Sequence, residues 1–224
     1  MSLTFGEIYE RLTSSALAEI RDRVVPPASI VDFGAGCGRL AVPLAKQGYR
    51  VTAVEPSGQM LGQLRNGSVD LDIESIASTM QDYSANRPHD LALCVFTVIA
   101  YLLDEASLVA GLGAAARSLS PHGLLLLDVP CPDVVQSFDH DTGELIRRVE
   151  IETEGDSVYD YREDTVLRGV DGSTTRYRDH FRIRQWTMQE VLAALDSAGF
   201  VRAGDVAARF SGLGADYLLM RRSG

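Results

Sequence analysis

The segment Ser29–Leu40, which reads SIVDFGAGCGRL, constrains the fold of this chain more than any other stretch. It begins with the short apolar run IVDF, which is typical of a parallel strand covered on both faces. Gly34, Gly36 and Gly38 follow directly. Glycine adopts positive φ and has no Cβ, so backbone amides at the start of the next helix can face a ligand. The segment therefore predicts a strand, a glycine turn and a helix start that form a nucleotide-binding loop.

The spacing of the glycines distinguishes two kinds of loop. A dinucleotide-binding loop has the pattern G-x-G-x-x-G, which would require a glycine at Arg39. The chain instead has G-x-G-x-G, which ends at Gly38, and the acidic residue Asp32 lies two places before the first glycine. This difference argues against a nicotinamide cofactor, although an NAD(P)-dependent oxidoreductase remains an alternative.

A second strand is predicted at Tyr49–Pro56, YRVTAVEP, and it ends in an acidic residue. Glu55 lies 21 residues after Gly34. An acidic side chain at such a strand end can accept hydrogen bonds from both ribose hydroxyls of an adenosine. Ser57 is placed to cap the helix that follows.

These segments resemble the motifs of class I S-adenosylmethionine-dependent methyltransferases. The segment VTAVEPSGQML matches the family pattern V-x-G-V-D-x-S-x-x-M-L, with Ala53 and Glu55 as variants, and Leu119–Leu124, LSPHGL, matches the family's Leu-x-Pro-x-Gly turn. The resemblance implies an α/β fold with a Rossmann-like, doubly wound, seven-stranded sheet whose last strand is antiparallel. It also implies the cofactor S-adenosyl-L-methionine, with S-adenosyl-L-homocysteine as its product.

The resemblance further implies which residues bind the cofactor. They are Asp32, Gly34, Ala35, Gly36, Gly38, Glu55, Pro56, Met60, Thr79, Met80, Cys94 and Phe96. The chain departs from the family at Thr79, where many members have an aspartate that accepts a hydrogen bond from the adenine amino group. The Thr79 hydroxyl or a water molecule has to accept that hydrogen bond instead. The fourth strand, His89–Thr97, places Cys94 and Phe96 near the methionine part of the cofactor.

Residues 131–185 differ in character from the rest of the chain. Val149–Glu154, Val158–Arg168 and Thr174–Gln185 each resemble a strand, and Asp171-Gly172 is a strong hairpin signal. We therefore expect an antiparallel β insert at 131–185 within a single domain at 1–224. Small-molecule methyltransferases, including the N,N-dimethyltransferases of amino sugars, carry a comparable insert over the substrate, so the resemblance implies a substrate lid.

The segments on either side of the methyltransferase-like region complete the predicted fold. An N-terminal helix is expected at Leu3–Val24, and in the family such a helix often covers the cofactor with a tyrosine, for which Tyr9 is the candidate. Phe200–Phe210 and Ala215–Arg221 are predicted to be the last two strands of the sheet.

The implied reaction is direct displacement, in which a small-molecule amine or hydroxyl attacks the methyl carbon opposite the leaving sulfur. Holding two reactants in line supplies roughly 7–11 kcal/mol, so little covalent help is needed. A general base still helps with a protonated amine or a hydroxyl. His180 on the insert is the first candidate, and Tyr9 and Tyr101 follow. A non-catalytic adenosyl-ligand-binding protein is a further alternative, motivated by Thr79.

Composition excludes several other classes of function. A formal net charge of −10 argues against nucleic acid, which requires clustered Lys and Arg. The apolar runs are far shorter than the ~20 residues that span a bilayer, and we expect no membrane partner and no signal peptide. Cys37, Cys94 and Cys131 have no zinc-site spacing, so we expect no metal. The expected protein is cytoplasmic, and a monomer or homodimer.

Overall fold

The computed structural model describes residues 5–223, and Leu3, the predicted start of the first helix, lies outside that range. The α-helices are α1 (Phe5–Arg23), α2 (Ala41–Lys46), α3 (Gly58–Gly67), α4 (Glu105–Ser118), α5 (Met188–Ser197) and α6 (Ala207–Phe210). Two 3₁₀ helices lie at Val98–Tyr101 and Pro132–Val134. None of the helices in the described range is long and apolar enough to span a membrane.

Within residues 5–223, eleven strands form two sheets. They are β1 (Ser29–Phe33), β2 (Arg50–Val54), β3 (Ile73–Ile76), β4 (His89–Cys94), β5 (Leu119–Pro130), β6 (Phe138–Asp141), β7 (Leu145–Gly155), β8 (Val158–Arg168), β9 (Thr174–Arg184), β10 (Phe200–Gly204) and β11 (Ala215–Arg222).

The main sheet has seven strands in the order β10-β11-β5-β4-β1-β2-β3. Strands β1 to β5 are parallel to their neighbours among themselves, whereas β11 is antiparallel to both β5 and β10. This arrangement confirms the predicted fold class. The strand order reverses between β1 and β4, and in open α/β sheets a ligand crevice lies outside the carboxyl ends of the strands at that point.

Helices cover both faces of the sheet, so its central strands are mostly apolar. All five residues of β1 are buried. One core layer includes Leu112 of α4 and Leu195 of α5, and the opposite layer includes Ile20 of α1, Leu44 of α2 and Leu64 of α3. Each such side chain stabilises the fold by about 1.5–3 kcal/mol relative to an exposed one. The two layers fix the carboxyl ends of β1, β2 and β4 relative to one another.

The second sheet has the order β6-β7-β8-β9 and is antiparallel throughout. We call this sheet the lid. Its strands lie inside the predicted range 131–185, and β6 is a strand that the sequence did not predict. Side chains alternate between the two faces of a strand. In the observed register Tyr161 pairs with Phe181, and Arg162 pairs with His180, so these two pairs lie on opposite faces of the lid.

Two predicted strands are shorter than expected. Strand β4 ends at Cys94, because Phe96 and Thr97 adopt positive φ of 65° and 71°, which is incompatible with a strand. The prediction of a strand over Phe200–Phe210 is wrong in its second half. There β10 ends at Gly204, and α6 begins after Asp205, whose carboxylate accepts a hydrogen bond of 2.9 Å from the amide of Ala207.

A buried histidine joins the amino ends of β1 and β4. His89 is 1% exposed, and its Nδ1 lies 2.9 Å from Ser29 Oγ while its Nε2 lies 3.1 Å from the Tyr83 hydroxyl. Burial, together with the nearby charge of Arg87, lowers the pKa of His89 to about 4. The imidazole is therefore neutral in the folded protein at neutral pH.

We expect His89 to make the free energy of unfolding pH-dependent. The unfolded histidine binds a proton near pH 6.5 and the folded one only near 4, so stability is retained above 6.5 and is lost as the pH falls through this interval. In His89→Gln, the fall in chemical-denaturation stability over this interval should be smaller than in the wild type.

His140→Gln, a change on the lid, is the matched control and should follow the wild-type curve. An NMR titration of the wild-type imidazole gives an independent check. If its resonances shift around pH 6.5, the histidine is accessible to protons and the assignment fails.

Candidate functional site

The glycine loop after β1 uses its backbone amides within the protein. Gly34 N and Ala35 N both donate to Val54 O, at 2.9 and 3.2 Å, and Gly36 N donates to Glu55 Oε2 at 2.9 Å. These amides are therefore not directed at a ligand, contrary to the expectation for a phosphate-binding loop. The loop is instead fastened to the end of β2.

Two of the loop glycines are required by packing. A Cβ on Gly34 would lie 2.5 Å from Val98 Cγ2, and a Cβ on Gly38 would lie 2.4 Å from Leu64 Cδ1. The amide of Gly38 also donates to Ala35 O at 2.9 Å. A side chain at either position would therefore clash, although Gly34 itself is exposed and Gly38 is buried.

Gly36 is different, because the space above it is open. A Cβ placed there at φ +55° would meet only Met60 Sδ, at 3.8 Å. Met60 is 44% exposed and Pro56 is also exposed at the same rim. The sequence-predicted residues Gly36, Glu55, Pro56 and Met60 thus surround one open cradle at the ends of β1 and β2.

Glu55 is the polar centre of this cradle. Its side chain is 6% exposed, and it accepts hydrogen bonds from Gly36 N at 2.9 Å and Ser57 N at 2.8 Å. A carboxylate has about four acceptor positions. Those that the two amides leave are available to a pair of ligand hydroxyls.

Asp32 lies beneath the loop and is 4% exposed. Burial, and the nearby charge of Glu55, raise its pKa to about 7, although a backbone hydrogen bond from Ala41 lowers it. Two carboxyl groups are therefore enclosed under one short loop, which makes a negatively charged ligand such as a pyrophosphate unfavourable there.

The residues predicted after β3 are mostly engaged with one another. The Thr79 hydroxyl donates to Asp82 Oδ2 at 2.6 Å, and the Asp82 amide donates back to that hydroxyl at 3.3 Å. Met80 and Cys94 are both buried, with their sulfur atoms 3.7 Å apart. The thiol of Cys94 therefore points into the core, and only the position of its backbone relates it to the crevice.

The end of β4 is held in an uncommon conformation. Phe96 and Thr97 have positive φ, and the amide of Thr97 donates to both carboxylate oxygens of Asp128, each at 3.1 Å. Burial raises the pKa of Asp128 to about 7, against the lowering effect of these backbone hydrogen bonds. Such backbone conformations persist only where the surrounding structure enforces them, and they cluster at functional sites.

Sequence reasoning missed Asp128 and the role of Arg39. Asp128 interrupts the apolar run of β5 as Asp32 interrupts that of β1, which is a signal that the sequence carries. The guanidinium carbon of Arg39 lies 3.5 Å from the centre of the Tyr9 ring and 3.6 Å from that of Phe96. Arg39 Nε donates to Thr13 Oγ1 at 2.8 Å. Tyr9, a predicted catalytic residue, is therefore part of the contact that fastens α1 over the loop.

One face of the lid contacts the crevice. Phe181 stacks on Tyr161 with ring centres 4.5 Å apart and contacts Tyr101 at 5.3 Å. Tyr101 ends the 3₁₀ helix after β4 and is half exposed. Beside these rings Glu163 forms a 2.7 Å ion pair with Arg147. This inner face combines aromatic rings with carboxylates.

His180 lies on the opposite face of the lid. Its Nε2 is 2.6 Å from Asp160 Oδ1, and Asp160 also pairs with Arg162 at 2.5 Å. The alternation of β9 places His180 away from Phe181 and the crevice. The structure thus does not bring this predicted base together with the cofactor-binding candidates, because it belongs to an outer network of ion pairs.

Residues 30–123, which include β1 to β4 and the glycine loop, match a family described as a methyltransferase domain. This part of the chain is similar to a methyltransferase domain. The resemblance inferred from the sequence motifs is confirmed.

Relatives and solved structures extend the similarity over the remainder. The dTDP-3-amino-3,6-dideoxy-alpha-D-glucopyranose N,N-dimethyltransferase of Streptomyces fradiae is 24% identical over 201 residues, which cover 87% of this chain and 78% of that protein. An S-adenosylmethionine-dependent methyltransferase from Clostridium acetobutylicum superposes with a TM-score of 0.83 at 17% identity, covering 96% of this chain and 92% of that one. An amino pentose methyltransferase from Micromonospora echinaspora gives 0.73 at 20% identity, covering 100% and 99%.

Coverage differs between these comparisons. Two curated relatives that share 33% identity with the chain align over only 41% and 42% of their own length. The solved structures establish the fold of the whole described chain, lid included.

The two packing environments of the loop glycines predict different costs of substitution. Gly36→Ala should lower the free energy of unfolding by about 1–2 kcal/mol, which is the cost of holding an alanine in the left-handed conformation. Gly38→Ala should lower the free energy of unfolding further, because its Cβ would also lie within 3 Å of Leu64 and Val42. Such overpacking costs about 1–3 kcal/mol. Urea denaturation of the two variants measures the difference, and equal losses would contradict the assignment of Gly36 as the open position.

Proposed function

We propose that this protein transfers a methyl group from S-adenosyl-L-methionine to the amine of a small molecule, with a sugar-like amine as the leading acceptor class. The observation that carries the proposal is the open space over Gly36, next to the Glu55 carboxylate that accepts a hydrogen bond from the Gly36 amide. The fold and the similarity to amino-sugar N-methyltransferases support it.

The residues of the loop fit this cofactor better than a dinucleotide. A pyrophosphate needs free backbone amides, and Gly34, Ala35 and Gly36 donate theirs to protein acceptors. Asp32 and Glu55 add negative charge close by. A ligand without phosphate, and with a positive centre, suits this site. The oxidoreductase alternative is therefore disfavoured on structural grounds in addition to the position of Arg39.

Glu55 is assigned to the ribose of the cofactor. Its carboxylate is oriented by Gly36 N and Ser57 N, so it meets a ligand in one fixed geometry. Preorganised acceptors of this kind lose little entropy on binding. Thr79, the departure from the family pattern, offers its hydroxyl oxygen to a ligand only in competition with Asp82.

The inner face of the lid suits a cationic amine as acceptor. The rings of Tyr101, Tyr161 and Phe181 lie beside Glu163, and aromatic faces attract ammonium groups. Partial burial of Tyr101, with the charges of Glu55, Asp179 and Glu163, raises the pKa of its phenol. Tyr101 is thus a neutral hydrogen-bonding group at neutral pH, and it lies between the cradle and the lid.

When bound, the cofactor would supply a methyl group on a sulfonium, which an amine lone pair can attack in line with the leaving sulfur. Tyr101 and Phe181 orient the acceptor over the crevice and exclude water from it. Glu163 stays ionised, because its hydrogen bonds with Arg147, Thr165 and Tyr161 lower its pKa despite partial burial. Asp179, which shares the inner face of β9 with Phe181, is the carboxylate placed to receive the proton of an ammonium acceptor.

We expect Glu55→Ala to weaken the binding of S-adenosylhomocysteine by about 10- to 100-fold. Hydrogen bonds to a charged group are worth roughly 1.5–3 kcal/mol, and both ribose hydroxyls lose theirs. Isothermal calorimetry measures the effect. Glu74→Ala, which removes an exposed carboxylate on the adjacent strand β3, is the control and should bind like the wild type. Unchanged affinity in Glu55→Ala would place the ribose elsewhere.

Turnover measurements test both the chemical class of the acceptor and its position on the inner face of the lid. With S-adenosylmethionine labelled in its methyl group, wild-type protein should methylate an amino sugar and leave the matched hydroxy sugar unmodified. Phe181→Ala should lower kcat/KM for the amine by about tenfold or more, since it removes a ring that holds the acceptor. His180→Ala, a change on the outer face of the same strand, should stay within about twofold of the wild type.

Three other outcomes are informative. Methylation of the hydroxy sugar alone would overturn the amine assignment. Tight binding of S-adenosylhomocysteine with no turnover of either sugar would favour the non-catalytic alternative. Equal effects of Phe181→Ala and His180→Ala would show that the substrate does not lie on the inner face.

A further inference from the structure

An anionic group at the carboxyl edge of the sheet needs hydrogen-bond donors that the protein does not already use. The loop amides of Gly34, Ala35 and Gly36 are used by the protein. S-adenosylmethionine carries one anionic group, the carboxylate of its amino-acid end. If Glu55 at the end of β2 holds the ribose, the strand order β2-β1-β4-β5 directs the amino-acid end towards β4 and β5.

Arg39 lies at that end. Its guanidinium stacks between Tyr9 and Phe96, and it donates to Thr13 Oγ1 and to Tyr9 O at 2.7 Å. A guanidinium has five N–H donors in a planar fork that matches a carboxylate. Within residues 5–223 the hydrogen bonds of Arg39 are these two, both to neutral oxygens, so the remaining donors are available to a ligand.

Tyr217 of β11 lies on the same side of the crevice. Its side chain is 3% exposed, and among the described residues its hydroxyl has no hydrogen-bond partner. The ring is fixed by stacking on Phe210, with centres 3.7 Å apart. Tyr217 is the register partner of Asp128, whose carboxylate holds the amide next to Phe96. The ring of Phe96 in turn stacks on the guanidinium of Arg39. Tyr217, Asp128 and Arg39 therefore belong to one continuous cluster.

An unpaired buried hydroxyl destabilises the free protein, because it has lost water and gained no partner. Burial, and the charge of Asp128, raise the pKa of Tyr217, so the phenol keeps its proton and can donate it in a hydrogen bond. Arg39 acts electrostatically on the same phenol. A donor and a cation thus face the same region with unused hydrogen-bonding capacity.

We propose that Tyr217 and Arg39 are specificity residues that recognise the carboxylate at the amino-acid end of the cofactor. This inference rests on the proposed function. Because Arg39 also holds Thr13 and the backbone of Tyr9, recognition of the carboxylate is linked to the position of α1 over the loop.

The test compares two ligands that differ only at this end of the cofactor. S-adenosylhomocysteine has the amino-acid group, and methylthioadenosine keeps the adenosine and sulfur but lacks it. Calorimetry on Tyr217→Phe should show affinity for S-adenosylhomocysteine reduced by about tenfold, as expected for one hydrogen bond to a charged group. Affinity for methylthioadenosine should change by less than about twofold. Arg39→Lys should lower the preference for S-adenosylhomocysteine in the same sense.

Stability of the ligand-free protein separates recognition from structure. Tyr217→Phe removes a hydroxyl that has no protein partner, so its unfolding temperature should equal or exceed that of the wild type. Tyr83→Phe is the matched control, because the Tyr83 hydroxyl contacts His89 at 3.1 Å on the far side of the sheet. It should lower the unfolding temperature and leave the ratio of the two affinities unchanged.

Two outcomes would overturn the inference while the proposed function stands. One is equal loss of affinity for both ligands in Tyr217→Phe, and the other is a lowered unfolding temperature with an unchanged affinity ratio. If the wild-type protein binds neither ligand, the proposed function itself fails.

Discussion

Glu55 carries the interaction on which the crevice depends. Its carboxylate accepts a hydrogen bond from Gly36 in the loop after β1 and another from Ser57 at the cap of α3. The two loops that border the crevice are thus joined through one buried anion. Removing a partner from a buried charged hydrogen bond is costly, since the remaining groups stay desolvated. The cradle over Gly36 therefore has its shape before any ligand arrives, and binding meets a site that is already ordered.

The buried carboxyls at this edge destabilise the fold, and a suitable ligand offsets part of that destabilisation. Burial is the main reason that the pKa values of Asp32 and Asp128 are each raised to about 7. Because these folded-state pKa values exceed 3.8, the ordinary pKa of an aspartate, burying the two carboxyls destabilises the fold progressively as the pH rises from about 4 through 7. A ligand with a positive centre favours the ionised carboxylates and reverses part of this cost. A dinucleotide phosphate would add to it.

Local sequence patterns predicted the main sheet well, because its strands are short apolar runs bounded by glycine, proline and capping residues. The candidate cradle was also predictable, since Gly36 and Glu55 follow strand ends directly. Long-range contacts were not predictable in the same way. Which face of the lid turned inward depends on the packing of Phe181 against Tyr101, which the alternation of β9 alone does not specify. The partnership of Arg39 with distant rings is likewise absent from the local pattern.

The lid is attached to the crevice by a rigid junction. Trp186, which follows β9, is 2% exposed, and its Nε1 lies 3.0 Å from both Ile99 O and Leu102 O. Those carbonyls belong to the 3₁₀ segment that also presents Val98 to the glycine loop and Tyr101 to the lid. The base of the lid, the aromatic contact and the loop are therefore joined through one short segment. Helix α1 lies outside this junction, and Arg39 joins it to the loop through its contacts with Tyr9 and Thr13.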